Sequence, residues 1–220
     1  MSKNINTKEY WDSRFEGKEK SWKGNAGEFQ TRSFAKEIVK RLKMPPEFDG
    51  TILDFGCALG DAIPVYRRKY PFAKIIGVDF SSSAIEQCNM KFGNIATFMV
   101  GTIDNVPKVD TIVMSNVLEH LSNDKECVTK LLVKCTDLYI AVPYDEKINS
   151  GGEHINTYNE NTFDYLKADK SIYLCRGYSL KEKLSSYINI ELKNVARFFL
   201  RKPLSAGGVN KQVLFHISNK

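Results

Sequence analysis

Apolar positions along the chain follow two different periods. Between Ala26 and Leu42, the residues Phe29, Phe34, Ile38, Val39 and Leu42 recur at helical spacing. Pro45 and Pro46 end that pattern. A shorter helix is expected over 5–15, carrying Tyr10, Trp11 and Phe15, with Gly24 and Gly27 in the loop after it. From Thr51 onward the period shortens. Thr51–Phe55, Lys74–Asp79, Thr97–Val100, Asp110–Ser115 and Leu138–Val142 are short, nearly continuous apolar runs that read as buried strands. Between them, 61–69, the stretch from a Ser81–Ser83 cap to about Phe92, and 122–134 read as helices. Pro64 falls in a first helical turn, where the missing N–H costs nothing.

Strands that are apolar on both faces, separated by helices, predict an α/β fold. The expected architecture is a Rossmann-like, doubly wound, mostly parallel seven-stranded sheet with helices on both faces. After Pro143 the pattern changes. A Gly/Asn-rich loop over 147–157 leads to an expected helix near 159–168. Ser171–Arg176 and Gln212–Ile217 read as two late strands, pairing antiparallel at one edge. The chain divides into a helical part (1–45), a central α/β core (51–145) and a C-terminal part (146–220) of one domain.

Composition sharpens this. With 220 residues, 42% hydrophobic and 26% charged, the chain is globular rather than collagen-like, coiled-coil or disordered. No run approaches the roughly 18 apolar residues of a membrane helix, and MSKNINTKEYWD has no apolar segment typical of a secretory signal. The five cysteines are odd in number and form no C-x-x-C, so a reduced, cytoplasmic set without zinc is expected. Charge is unevenly placed. Residues 1–50 carry 11 basic and 8 acidic side chains, 51–166 carry 10 and 15, and 167–220 carry 11 and 3. An acidic middle and a basic final quarter suggest different partners for the two.

The chemistry concentrates in Ile52-Leu-Asp-Phe-Gly-Cys-Ala-Leu-Gly-Asp61, which closes a strand and opens a helix. Glycines there let the backbone approach a ligand closely and expose helix N–H groups. Asp79 ends the next strand, where an acid accepts the two hydroxyls of an adenosine ribose. A dinucleotide fingerprint would need glycine at 56, 58 and 61, and this chain has Gly56, Ala58 and Asp61. Asp54 and Asp61 would repel a pyrophosphate and welcome a sulfonium and an ammonium. That favours S-adenosylmethionine over NAD or ATP.

The segments LDFGCALGD, IIGVDFSSSAIEQC and DTIVMSNVLEHL, in this order, resemble the class I S-adenosylmethionine-dependent methyltransferases over about residues 10–165. YWDSRF resembles the lead-in of many small-molecule members. The resemblance implies that Asp54, Gly56, Cys57, Ala58 and Gly60 form the methionine-side loop. Asp79 would hold the ribose, with Phe80 against the adenine. Thr102 and Ile103 would edge the adenine, Asn116 and Val117 would lie beneath the sulfonium, and Tyr10, Trp11 and Arg14 would cover the methionine end from a helical lid. Two residues depart from the family pattern. Ala58 stands where glycine is usual and is expected to be tolerated at negative φ. Thr102 stands where an aspartate often meets the adenine.

Glu119 and His120 follow the fourth strand in NVLEHL. His154 lies in GGEHINTYNENTF, which resembles the Gly-His-Val-Asn stretch of methyltransferases acting on sugars, quinones and related small molecules. These three are the expected catalytic residues, either histidine suiting a base near neutral pH. His216, inside VLFHIS, reads as structural. Some relatives bind a divalent cation through Glu-x-x-Glu-His and a later histidine; Asn116 replaces the first glutamate here, and no metal is expected. The basic, aromatic Lys193–Lys202 (KNVARFFLRK) fits an anionic or lipid-linked acceptor, a membrane surface, or simply a final turn with snorkelling cations. The expected activity is methyl transfer (EC 2.1.1.-) from S-adenosylmethionine to a hydroxyl or amine of a small molecule, foremost a sugar or cell-surface polysaccharide precursor. RNA or protein methylation and a non-catalytic binding relative are the alternatives. No recognised RNA-binding module is appended, and the sequence does not set an oligomeric state.

Overall fold

The computed structural model describes residues 6–16, 25–148, 152–176, 195–196, 198–200 and 209–219. Half of the basic, aromatic segment at 193–202 lies outside them; Val195 and Phe198–Leu200 are exposed.

Two helices come first, α1 (Lys8–Glu16) and α2 (Asn25–Ile38). The strands are β1 (Thr51–Phe55), β2 (Lys74–Asp79), β3 (Thr97–Val100), β4 (Val109–Ser115), β5 (Cys135–Pro143), β6 (Asp169–Arg176) and β7 (Val209–Ser218). Helices α3 (Ile63–Lys69), α4 (Ser82–Phe92) and α5 (Asp124–Leu132) connect the parallel strands. All seven strands form one sheet in the order β3-β2-β1-β4-β5-β7-β6. The first five run parallel, and β7 runs antiparallel to both β5 and β6. The mostly parallel, doubly wound sheet expected from the strand pattern is therefore present, with its antiparallel pairing confined to one side.

Successive side chains of a strand face opposite ways, so apolar neighbours enter opposite layers. Ile52 packs with α2 and α3 residues Phe34, Ile38, Ile63 and Tyr66. Leu53, one residue on, packs with Val128 and Leu131 of α5. Strand order reverses between β1 and β4, and an open α/β sheet binds ligands in the crevice beyond the strand ends there.

Local chemistry sets the helix starts. Ser81 is the N-cap of α4, its hydroxyl accepting from the Ala84 N–H at 3.1 Å. Pro64 stands in the first turn of α3. The helix expected near 159–168 is instead a single 3₁₀ turn, Asp164–Leu166. The cause lies just before it. Asn159 accepts from the Asn161 N–H at 3.0 Å, and Thr162 accepts from the Asn159 N–H at 3.0 Å, so side chains take the donors a helix would use. Lys167, at φ +52°, then stops the turn.

Candidate functional site

The ends of β1, β2, β4 and β5 open into one cavity of about 720 Å³. Its floor is the loop after β1. Gly56 and Gly60 both take positive φ, +75° and +74°. A Cβ on Gly56 would lie 2.4 Å from Val117 Cγ2, so this turn and the start of the loop after β4 fit only with glycine at 56. Ala58 also takes positive φ, +46°. The expectation of a negative φ is thus overturned. The Ala58 N–H donates to Asp79 Oδ2 at 2.9 Å, which turns the peptide toward β2 and into a conformation that suits glycine.

Asp79 has a double role. Its other oxygen accepts from the Ser81 N–H at 2.9 Å, so one carboxylate ties the loop after β1 to the start of α4. Burial nevertheless raises its pKa to about 6, the backbone donors offsetting only part of that cost. Asp54, fully enclosed at the end of β1, rises to about 7, through burial first and then repulsion from Asp79. Two buried acids on neighbouring strands make the loop end of the cavity short of positive charge.

Above the loop lies α1. Trp11 and Phe15 are buried against Leu59 and Ala84. Asp12 accepts from the hydroxyls of Ser81 and Ser83, which anchors α1 to α4. On its other side, Tyr10 and Arg14 both bond to the Glu153 carboxylate, and Asn6 donates to the Glu153 carbonyl at 2.8 Å. Burial alone would raise the Glu153 pKa, but Tyr10 and Arg14 hold it below the ordinary value. So Glu153 joins α1 to the loop after β5. Its neighbour His154 marked this loop in the sequence, but Glu153 itself did not stand out, because its partners lie some 140 positions away.

At the far end stand Glu119, His120 and His154, each offering a ligand atom within 4.8 Å of the others. The Trp11 ring meets the His120 ring edge-on at 5.1 Å, and the His120 ring meets His154 at 4.8 Å. Burial lowers the His120 pKa to about 4, so this imidazole is neutral at physiological pH. Glu119 is 1% exposed, and neither of its carboxyl oxygens has a hydrogen-bond partner among the described residues. Burial drives its pKa to about 8; its own peptide N–H opposes the shift weakly and Glu146 adds repulsion.

The cavity lining thus brings together Trp11, Asp54, Gly56, Cys57, Ala58, Asp79, Phe80, Asn116, Val117, Glu119, His120 and His154 from four strand ends and one helix. Gly60 sits behind the loop, facing Cys88 and Phe92. Arg14 reaches the cavity through Glu153. Thr102 and Ile103 are not among the lining residues; Thr102 caps the 3₁₀ turn Ile103–Asn105 in a reciprocal bond with Asn105. Asn116 takes φ +54°, a conformation asparagine tolerates better than most residues, and so swings the chain after β4 across the cavity. His216 lies outside the cavity, bonded to Asp137 at 2.7 Å and stacked on Tyr139. Sequence reading missed Phe34, Tyr66 and Gln212, which line the cavity but look like ordinary core positions of α2, α3 and β7.

Residues 53–138 match a family profile described as a methyltransferase domain. No curated protein matches the chain in sequence. Among solved structures, the plantazolicin methyltransferase BpumL, in complex with a pentazolic desmethylPZN analogue and SAH, is 19% identical with a TM-score of 0.57, covering 96% of this chain and 91% of its own. Coclaurine N-methyltransferase bound to N-methylheliamine and SAH is 12% identical with a TM-score of 0.56, covering 86% and 72%. An S-adenosylmethionine-dependent methyltransferase from Aquifex aeolicus is 14% identical with a TM-score of 0.54, covering 86% and 93%. At these identities the likeness is one of fold.

Proposed function

We propose that this chain, which has the class I methyltransferase fold and a methyltransferase-domain profile across its first four strands, transfers a methyl group from S-adenosylmethionine to a small molecule. The observation that carries this reading is the pair of buried acids, Asp54 and Asp79, beside a loop with three residues at positive φ. A sulfonium and an ammonium would relieve the charge deficit at Asp54. A ribose would find acceptor capacity on Asp79, whose two oxygens accept from the Ala58 and Ser81 N–H groups. The bound SAH of the structural relatives points the same way.

When bound, the cofactor supplies an activated methyl group on a positive sulfur. The protein's part is alignment and exclusion of water. Val117 fills the space that Gly56 leaves, and Phe80 offers a flat apolar face for the base. Helix α1 serves as a lid through Trp11, with Tyr10 and Arg14 clamping Glu153 over the cavity. His120, His154 and Glu119 stand where the acceptor enters. His120, kept neutral by burial at physiological pH, can accept a hydrogen bond from the acceptor group. A cavity of about 720 Å³, lined in part by aromatic rings, suits a small acceptor bearing a hydroxyl or amine, a sugar or polysaccharide precursor included.

Calorimetric titration with S-adenosylmethionine and SAH tests the cofactor. Micromolar affinity that weakens at least tenfold in Asp79→Ala supports the reading. No heat of binding, or an affinity unaffected by Asp79→Ala, rejects it.

A further inference from the structure

We propose that the acceptor end of the cavity takes a basic nitrogen, a primary or secondary amine that enters as its ammonium and is methylated as the free base. The inference rests on the cofactor reading above and deepens it.

Glu119, His120 and His154 converge there, and with Glu119 ionised each offers an acceptor atom. Glu119 is buried, unpartnered and part of the cavity wall. A buried carboxylate without a counter-charge is expensive. The two imidazoles are fixed in one tautomer each. His120 Nδ1 lies 3.1 Å from the Glu153 carbonyl oxygen, which only accepts, so Nδ1 carries the hydrogen and Nε2 keeps its lone pair. His154 Nδ1 lies 2.5 Å from a Glu146 carboxylate oxygen, with the same consequence. A carboxylate and two imidazole lone pairs, with ligand atoms within 4.8 Å of one another, match the N–H hydrogens and the charge of an ammonium group.

The remaining charges agree. Asp145 and Glu146 also line this cavity, and its one lining lysine, Lys211, places its ammonium 3.9 Å above the Tyr144 ring. A phosphorylated acceptor would add negative charge to an acidic wall. An alcohol would leave Glu119 uncompensated.

The step balances simply. With Glu119 ionised, as it is above about pH 8, the ammonium gives one proton to its carboxylate. The freed nitrogen lone pair forms the N–C bond as the C–S bond breaks, and its electrons remain on sulfur as a thioether. The product leaves as a methylated ammonium, and Glu119 returns its proton to solvent past the half-exposed His154–Glu146 pair.

The test uses Trp11 as the reporter, in a Trp22→Phe background that leaves it the only indole. SAH binding is first measured by calorimetry; its failure would count against the cofactor reading alone, and the probe titrations are then run on the protein without SAH. Fluorescence titrations compare 2-phenylethylamine, 2-phenylethanol and phenyl phosphate at pH 7.5. The amine is expected to bind at least tenfold tighter than the alcohol, with no response to the phosphate. Glu119→Gln, and separately His154→Gln, should shrink that preference to threefold or less while circular dichroism stays native. Equal binding of amine and alcohol, preference for the phosphate, no response to the amine at millimolar concentration, or a preference that survives Glu119→Gln each overturns the proposal. So does a response to magnesium or zinc alone, which would make the same cluster a cation site.

Discussion

Asp79 accepts the peptide N–H of Ala58 at 2.9 Å, and Ala58 takes φ +46° under that hold. A residue with a Cβ in this region costs about 1–2 kcal/mol relative to ordinary backbone. Ala58→Gly removes that cost and keeps the N–H donor. Thermal unfolding should rise by roughly 2–4 °C, the shift about 1 kcal/mol gives in a chain of this size. SAH affinity should hold or improve. A lower melting temperature would mean that the glycine's freedom in the unfolded chain outweighs the strain.

Gly56 gives the opposite case. Gly56→Ala introduces a Cβ 2.4 Å from Val117 Cγ2 and at φ +75°. The expected loss is about 2 kcal/mol or more, from overpacking and backbone strain together. Adding Val117→Ala should recover only part of it, because the clash goes and the φ remains. Denaturant unfolding of the two variants separates these contributions.

Cofactor affinity should depend on the protonation of Asp79. Its pKa is raised to about 6 from an ordinary 3.8, and ribose hydroxyls bond best to the ionised form. Affinity should therefore be full near pH 7.5 and fall as pH drops through 6, by up to about tenfold per pH unit. Asp79→Asn should flatten that profile. Calorimetry between pH 5 and 8 reads both.

Glu119 predicts a stability effect of definite sign. Its folded-state pKa is raised to about 8 from 4.5, so the folded protein holds a proton that the unfolded chain releases. The cost of ionising it is absent below about pH 4.5 and grows as pH rises toward 8. Glu119→Gln should thus resemble the parent at pH 5 and be more stable than it at pH 8.5, by on the order of 2–4 kcal/mol. His120 works the other way, its pKa lowered to about 4, so its contribution is lost as pH falls below 6.5. Urea midpoints at the two pH values check the crossover.

Glu153→Gln keeps an acceptor for Tyr10 but loses the ion pair with Arg14. With α1 less firmly held over the cavity, SAH should dissociate about tenfold faster, as expected for a partly buried charge-assisted bond of roughly 1.5 kcal/mol. Stopped-flow Trp fluorescence measures the rate. An unchanged rate would show that the Asp12–Ser81 contact alone holds the lid.

The sheet and the loop after β1 were legible because their signals are local. Near-continuous apolar strands announce burial on both faces, and Gly56, Gly60 and Asp79 stand at fixed offsets from the strand ends. What sequence hid was either conformational or distant. Nothing in LDFGCALGD tells that Ala58 takes a positive φ, since the cause is a hydrogen bond it donates to a residue 21 positions away. The segment at 159–168 reads as a helix after a Gly/Asn-rich loop, yet Asn159 and Thr162 turn the backbone donors to themselves. Glu153 and Gln212 enter the cavity through pairings of α1 with a late loop and of β7 with β5, which no local pattern encodes.

Strand β7 sits between β5 and β6, paired with β5 over Gln212–Ser218 and with β6 over Val209–His216. It is therefore the last segment in sequence among the strands and also an interior one. On a ribosome, β1 to β5 emerge early and can pair in place, but β6 has no neighbour until residues 209–218 clear the exit tunnel. For that interval the open edge of β5 is bare, with the Gln212 wall of the cavity missing. A nascent chain stalled before Val209 would expose that bare β5 edge to pairing with other chains.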